Sequence, residues 1–136
     1  MPKPPPDHRL FLGHSGPIAI AHRAGNDRHP ENTHAAFQSA YERGYRFIET
    51  DVHSTFDGVV LAFHDTHLDR MTGRRGRLDA LTWDEIRHLP VHGGEPIPRL
   101  SDLLVRWPDV RFNIDPKSDA VLAPLISLID EHDARD

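Results

Sequence analysis

Arg46-Phe47-Ile48-Glu49-Thr50-Asp51-Val52-His53 is the stretch on which the fold turns. A strand here puts Phe47, Glu49, Asp51 and His53 on one face, and Ile48, Thr50 and Val52 on the other. Glu49 and Asp51 then project the same way, about 6.6 Å apart along the strand. Two carboxylates inside an otherwise apolar strand repel each other, and burial penalises their charged forms. A hard divalent cation, Mg2+ or Ca2+, answers both problems. The plainer alternative is a solvated face of an edge strand. Phe47 on the carboxylate face and the bulky apolar residues opposite weigh against it.

On the N-terminal side, Pro17-Ile18-Ala19-Ile20-Ala21 is short and apolar, like a buried strand, and ends in the loop His22-Arg23-Ala24-Gly25. Asn32 is placed to cap a helix over residues 33–43, with Ala36, Phe37, Ala40 and Tyr41 at helical spacing and Gly44 as its stop. On the C-terminal side, Asp57-Gly58 signals a tight turn. The apolar run Val59 to Phe63 follows and ends in His64-Asp65. Over residues 66–98 the pattern loosens. The basic run Arg70, Arg74, Arg75 and Arg77 reads as a solvated loop, with contact to an anionic head group as the alternative, and Thr82-Trp83-Asp84-Glu85 reads as a capping box. Ser101 is placed to cap a short helix through Arg106, stopped by Pro108. Val110 to Asp115 reads as a third strand. A last helix carries Leu122, Leu125, Ile126 and Ile129 on one stripe, with Pro124 in its first turn. Residues 1–16 read as a loose leader and 17–136 as one domain. Strand, helix, strand, excursion, strand, helix is an α/β order with parallel strands. It could open a (β/α)8 barrel, which needs on the order of 200 residues or more. A chain of 136 residues holds about three strands of one. The reading is a compact small α/β domain or the N-terminal portion of a barrel.

The absence of cysteine excludes disulfides, Cys-ligated metal sites and thiol nucleophiles. No apolar run is long enough to span a bilayer, and the start lacks a signal-peptide core, so the expected location is cytoplasmic. A net charge of −5 argues against a nucleic-acid surface. Ser15, Ser54 and Ser118 lack a nucleophile-elbow context, so a serine hydrolase is not expected.

The polar residues that end the strands form the second signal. His22 follows the first apolar run, His64 follows the run Val59 to Phe63, and Asp115 and Lys117 close the third strand. Chemistry in parallel α/β folds collects at such ends. Two histidines beside a metal suit acid–base work on an oxygen ester, since an unperturbed imidazole titrates near neutrality. Arg23 and Lys117 add fixed positive charge suited to a phosphate. The composite is a metal-assisted phosphodiester cleavage site. His53 shares the carboxylate face and lies further along it; His67, His88 and His92 read as surface residues. Trp83 and Trp107 read as packing residues.

The ordered motifs make a resemblance plain. Ala21-His22-Arg23-Ala24-Gly25, Pro30-Glu31-Asn32-Thr33, Ile48-Glu49-Thr50-Asp51-Val52, Asp57-Gly58, His64-Asp65-Thr66-His67-Leu68-Asp69-Arg70, Ile97-Pro98-Arg99-Leu100 and Asn113-Ile114-Asp115-Pro116-Lys117 resemble the glycerophosphodiester phosphodiesterase family over about residues 18–117. The resemblance implies a metal-dependent (β/α)8 barrel of the phospholipase C-like type. It implies hydrolysis of glycerophosphodiesters, deacylated phospholipids, to glycerol 3-phosphate and an alcohol. It implies His22 and His64 as the acid–base pair, Arg23 as a phosphate ligand and Lys117 as a substrate contact. Glu49, Asp51 and Asp115 become ligands of Mg2+ or Ca2+. Residues 66–98 become a small insertion over the barrel mouth, bordered by the loop Asn26 to Glu31.

The sequence departs from the family pattern at Ala24, where glycine commonly follows His-Arg, and at Pro116, which stiffens the strand end. It also ends where about five more strands of the barrel are expected. Two rival readings stand beside the enzyme. One is an inactive or partner-requiring barrel portion, or a phosphate-binding module without turnover. The other is a zinc phosphoesterase, which would prefer a His-x-His pair that His22-Arg23-Ala24 lacks.

Overall fold

A computed structural model describes residues 16–135, so the expected leader lies outside the described residues save for Gly16. At the centre is strand β1 (Phe47–Ser54), flanked by β2 (Val60–Ala62) and β3 (Arg111–Pro116). β1 and β3 run parallel, with Glu49 opposite Asn113 and Asp51 opposite Asp115. β1 and β2 run antiparallel, a correction to the all-parallel expectation. The reason is local: Asp57-Gly58 makes a hairpin turn, with Gly58 at φ 84° and Thr55 receiving a backbone bond from Gly58 at 3.0 Å. A hairpin that short can only return antiparallel.

The expected first strand is a second correction. Over residues 17–21 only Ala21 pairs, in a parallel bridge to Ile48, bonded through Ala21 N to Phe47 O at 3.1 Å and Glu49 N to Ala21 O at 2.9 Å. That bridge suffices to set His22 beside Glu49. β3 forms an edge of the sheet, where Pro116 is tolerated because its missing N–H faces no further strand among the described residues.

Helix α1 (His34–Glu42) buries Ala36, Phe37 and Ala40 of the expected stripe, while Tyr41 is only partly buried. Its cap is Thr33, not Asn32: the Thr33 hydroxyl accepts from Ala36 N at 3.2 Å, while Asn32 sits at φ 56° and uses its side chain elsewhere. Short helices α2 (Asp69–Thr72) and α3 (Trp83–Ile86) follow, the latter with the expected capping box. Helix α4 (Leu100–Arg106) starts after Arg99 rather than at a Ser101 cap. Helix α5 (Leu122–Glu131) has Pro124 in its first turn. It buries Leu125 while Leu122 and Ile126 are exposed, so only part of the expected stripe faces inward.

Two apolar clusters hold the chain. One joins α1, β1, α4 and α5 around Phe37, Ile48, Val52, Leu103 and Trp107. The other belongs to the excursion and gathers Leu61, Phe63, Leu68, Met71, Leu78, Ile86, Val91 and Ile97. The looseness read into residues 66–98 is thus only in their helical periodicity. They pack a core of their own.

Candidate active site

Register alone builds the acidic centre. Asp51 and Asp115 lie abreast on neighbouring parallel strands, and Glu49 precedes Asp51 by one pleat on the same face. One carboxylate oxygen from each of the three lies within 4.8 Å of the others, close enough for a single cation. Asp51 is almost wholly buried, with its side chain 2% exposed, whereas that of Asp115 is 49% exposed. This all-oxygen donor set fits a hard divalent ion and not a soft one.

Cations already crowd these carboxylates. The Lys117 ammonium lies 3.1 Å from Asp51 Oδ1 and 2.6 Å from Asp115 Oδ2. The Asp115 bond, then the Asp51 one, raises its pKa above the ordinary lysine value. Arg23 Nε lies 3.4 Å from Asp51 Oδ2, and the Arg23 backbone N–H donates to Glu49 Oε2 at 2.7 Å. That last bond depends on a rare backbone: Arg23 and Ala24 both adopt left-handed φ, 50° and 61°. Ala24 thus takes the conformation a glycine would adopt without strain. His22 Nε2 stands 3.9 Å from Glu49 Oε2, with its ring largely open to solvent.

Asn32 is a residue that the sequence reading used only as a cap. Buried at 3% exposure, it donates from Nδ2 to Asp51 Oδ2 at 3.0 Å and accepts from the Thr50 hydroxyl at 2.9 Å. It therefore orients Asp51 from behind. A positive φ at an asparagine is its tell-tale, and asparagine is among the few residues that tolerate it.

His64 lies on the loop after β2, and its Nδ1 is 2.8 Å from Asp65 Oδ1. A carboxylate only accepts, so Nδ1 carries the proton and Nε2 is left to face outward from that contact. Arg70 clamps the same carboxylate through Nε to Oδ2 at 2.7 Å and Nη2 to Oδ1 at 3.0 Å. That clamp, aided by His64, holds the Asp65 carboxyl at about 2, against burial. Arg70 Nη2 also donates to Glu31 Oε1, while Glu31 Oε2 accepts from Arg23 Nη1 at 2.8 Å. Burial alone would raise Glu31, but the two arginines outweigh it and hold it below the usual glutamate value. Arg70, expected on a solvated loop, is exposed but also bound on two sides. His53, buried, donates from Nε2 to the His64 carbonyl at 3.0 Å. Burial pushes its pKa down from the ordinary histidine value. Arg77 pairs locally with Asp79 and Arg74 with the Glu85 carbonyl.

The structure thus gathers Arg23, Glu49, Asp51, Asp115 and Lys117 in direct contact, sets His22 at their edge, and joins His64 to them through Asp65, Arg70 and Glu31. Polar groups collected where parallel strands end are the habit of barrel enzymes, and carboxylates flanked by fixed cations suit a phosphorylated substrate. The chain belongs to the glycerophosphoryl diester phosphodiesterase family, whose model matches residues 22–122. It is 42% identical over 125 residues to the probable glycerophosphodiester phosphodiesterase 2 of Mycobacterium tuberculosis, covering 91% of this chain and 47% of the relative. A glycerophosphodiester phosphodiesterase of Caldanaerobacter subterraneus is 39% identical, with 79% and 48% covered. The crystal structure of a glycerophosphodiester phosphodiesterase from Agrobacterium tumefaciens superposes with a TM-score of 0.76 at 30% identity, over 84% of this chain and 52% of that one. An Oleispira antarctica phosphodiesterase, solved in complex with the product sn-glycerol-3-phosphate, gives 0.77 at 26% identity, over 85% and 53%. The chain spans about half the length of the curated relatives it matches. Its fold is that of the N-terminal portion of the family's (β/α)8 barrel. Among the described residues, no helix is long and apolar enough to cross a membrane.

Proposed function

We propose that this chain carries the catalytic face of a glycerophosphodiester phosphodiesterase that releases glycerol 3-phosphate and an alcohol. The observation that carries the reading is the meeting of Glu49, Asp51 and Asp115 within 4.8 Å, beside two fixed cations and a histidine loop. Those three carboxylates would hold Mg2+ or Ca2+, and the ion would supply charge stabilisation at the phosphoryl oxygens. Arg23 spends Nη1 on Glu31 and turns Nε toward Asp51 as an ion pair without a hydrogen bond, leaving Nη2 to reach a phosphate oxygen. Lys117, on a flexible stem, turns from Asp115 toward the same anion. One histidine of the pair His22 and His64 takes the proton of the attacking hydroxyl, and the other protonates the leaving alcohol. His64 is prepared for this by its fixed tautomer, which keeps Nε2 available. Residues 17–136 act as one domain, with 66–98 as an insertion that reaches the site through Arg70.

The test is release of glycerol 3-phosphate from glycerophosphocholine by the full chain. EDTA should stop it, Mg2+ or Ca2+ should restore it, and His22→Ala and His64→Ala should each abolish it. Titration calorimetry should find a divalent-ion site lost in Asp51→Asn. A chain that binds the ion but turns nothing over favours the partner-requiring reading, which the half-length coverage of the relatives keeps in play.

A further inference from the structure

We propose that Arg70 is a positioning residue that sets, with one guanidinium, both the ring of His64 and the side chain of Arg23. The inference rests on the roles given to those two residues above. Its basis is the connectivity of the hydrogen bonds. Asp65 Oδ1 receives His64 Nδ1 at 2.8 Å and Arg70 Nη2 at 3.0 Å, and Oδ2 receives Arg70 Nε at 2.7 Å. Both carboxylate oxygens are therefore fixed by one planar fork, a geometry lysine cannot reproduce. With the carboxylate fixed, the His64 proton has one acceptor at Nδ1. The ring is then held as the Nδ1–H tautomer, the minor form of free histidine in water. The same Arg70 Nη2 donates to Glu31, and Glu31 hands the constraint on to Arg23 Nη1 at 2.8 Å.

Arg70 sits on α2, in the excursion, five residues beyond Asp65 and far in sequence from Glu31. Its position is secured by that region's own core, because the neighbouring Met71 and Leu68 are buried there. The excursion therefore does more than border the site. It supplies the strut that aligns the phosphate-side arginine with an acid–base histidine. His53, donating to the His64 carbonyl, fixes the backbone of the same residue, so Arg70 is left with the side chain.

The test is the tautomer of His64 in the 15N-labelled full chain, read by long-range 1H–15N NMR. The wild type should show neutral His64 protonated at Nδ1. Arg70→Met should move the population toward the Nε2–H form, since Asp65 loses its anchor. Arg70→Lys, which keeps charge but not the fork, should fall between the two. Arg74→Met, a change on the same excursion, should leave His64 as in the wild type. Wild-type His64 behaviour in a folded Arg70→Lys or Arg70→Met overturns the proposal. So does a wild type with the proton on Nε2. Should Arg70→Met not fold, Arg70→Lys still decides. Where turnover is measured, kcat should fall about tenfold or more in Arg70→Met with KM changed much less. The NMR readout needs no turnover: a chain that lacks activity yet shows the tautomer shift counts against turnover by this chain alone and leaves the positioning of His64 by Arg70 standing.

Discussion

At the scale of single residues, two side chains carry more of the site than their sequence neighbours reveal. Asn32 bridges Thr50 and Asp51 from a left-handed backbone at φ 56°. Asn32→Ala strips a buried carboxylate oxygen of its amide donor and should cost about 1–3 kcal/mol in urea unfolding. Asn32→Gly, which suits the positive φ, should recover about 1 kcal/mol of that loss. Equal stabilities for the two variants would show that the backbone is not strained there. Asp65 gives a second prediction. Its carboxyl falls from 3.8 to about 2, so the stability it lends is complete above pH 4 and is lost as pH falls toward 2. Glu31, also held low, acts in the same direction. Thermal melts from pH 6 to pH 2 should therefore fall less steeply below pH 4 in Asp65→Asn than in the wild type. The i, i+2 spacing of Glu49 and Asp51 was legible because a strand repeats every two residues. Asn32 was misread because a capping and a bridging asparagine differ only in φ. The link from Arg70 to Glu31 was not legible because the two lie 39 residues apart, beyond any local pattern.

At the scale of elements, turn and cap chemistry were legible where they are local. The Asp57-Gly58 turn, the Thr82 capping box and the apolar stripe of α1 stand as read. Pairing direction was not, because an apolar run does not announce whether it returns through a turn or a crossover. The run at residues 17–21 shows the same limit: its composition suits a strand, and only Ala21 bridges to β1. The α1 cap offers a clean measurement. Thr33 receives Ala36 N and donates its hydroxyl to the Pro30 carbonyl at 2.7 Å, tying the helix to the loop that carries Glu31 and Asn32. Thr33→Ala should lower stability by about 1 kcal/mol, and Thr33→Ser should restore most of it. A loss confined to Thr33→Ala with Arg23 and Glu31 chemical shifts unmoved would separate the cap from the site.

At the scale of the whole molecule, the acidic centre is where folding and function oppose each other. Glu49, Asp51 and Asp115 converge from two strands, and their mutual repulsion opposes the β1–β3 pairing that brings them together. Lys117 offsets part of that repulsion by bonding Asp51 and Asp115 at once. An ion held by the same carboxylates would offset it more fully, and an ion that binds only the folded chain stabilises it by mass action, about 2.7 kcal/mol at a hundred times its Kd. Lys117 and such an ion would compete for the same oxygens. Lys117→Met should therefore melt lower than the wild type without added ion, and should gain more in Tm than the wild type does on adding Mg2+ or Ca2+ at one concentration. Asp115→Asn should gain less than the wild type, since it removes a donor from the set. A Lys117→Met protein whose ion-induced gain is smaller than the wild type's would mean that the lysine helps to hold the ion rather than competing with it. The carboxylates would then have to be reached by a cation on a face that Lys117 does not cover.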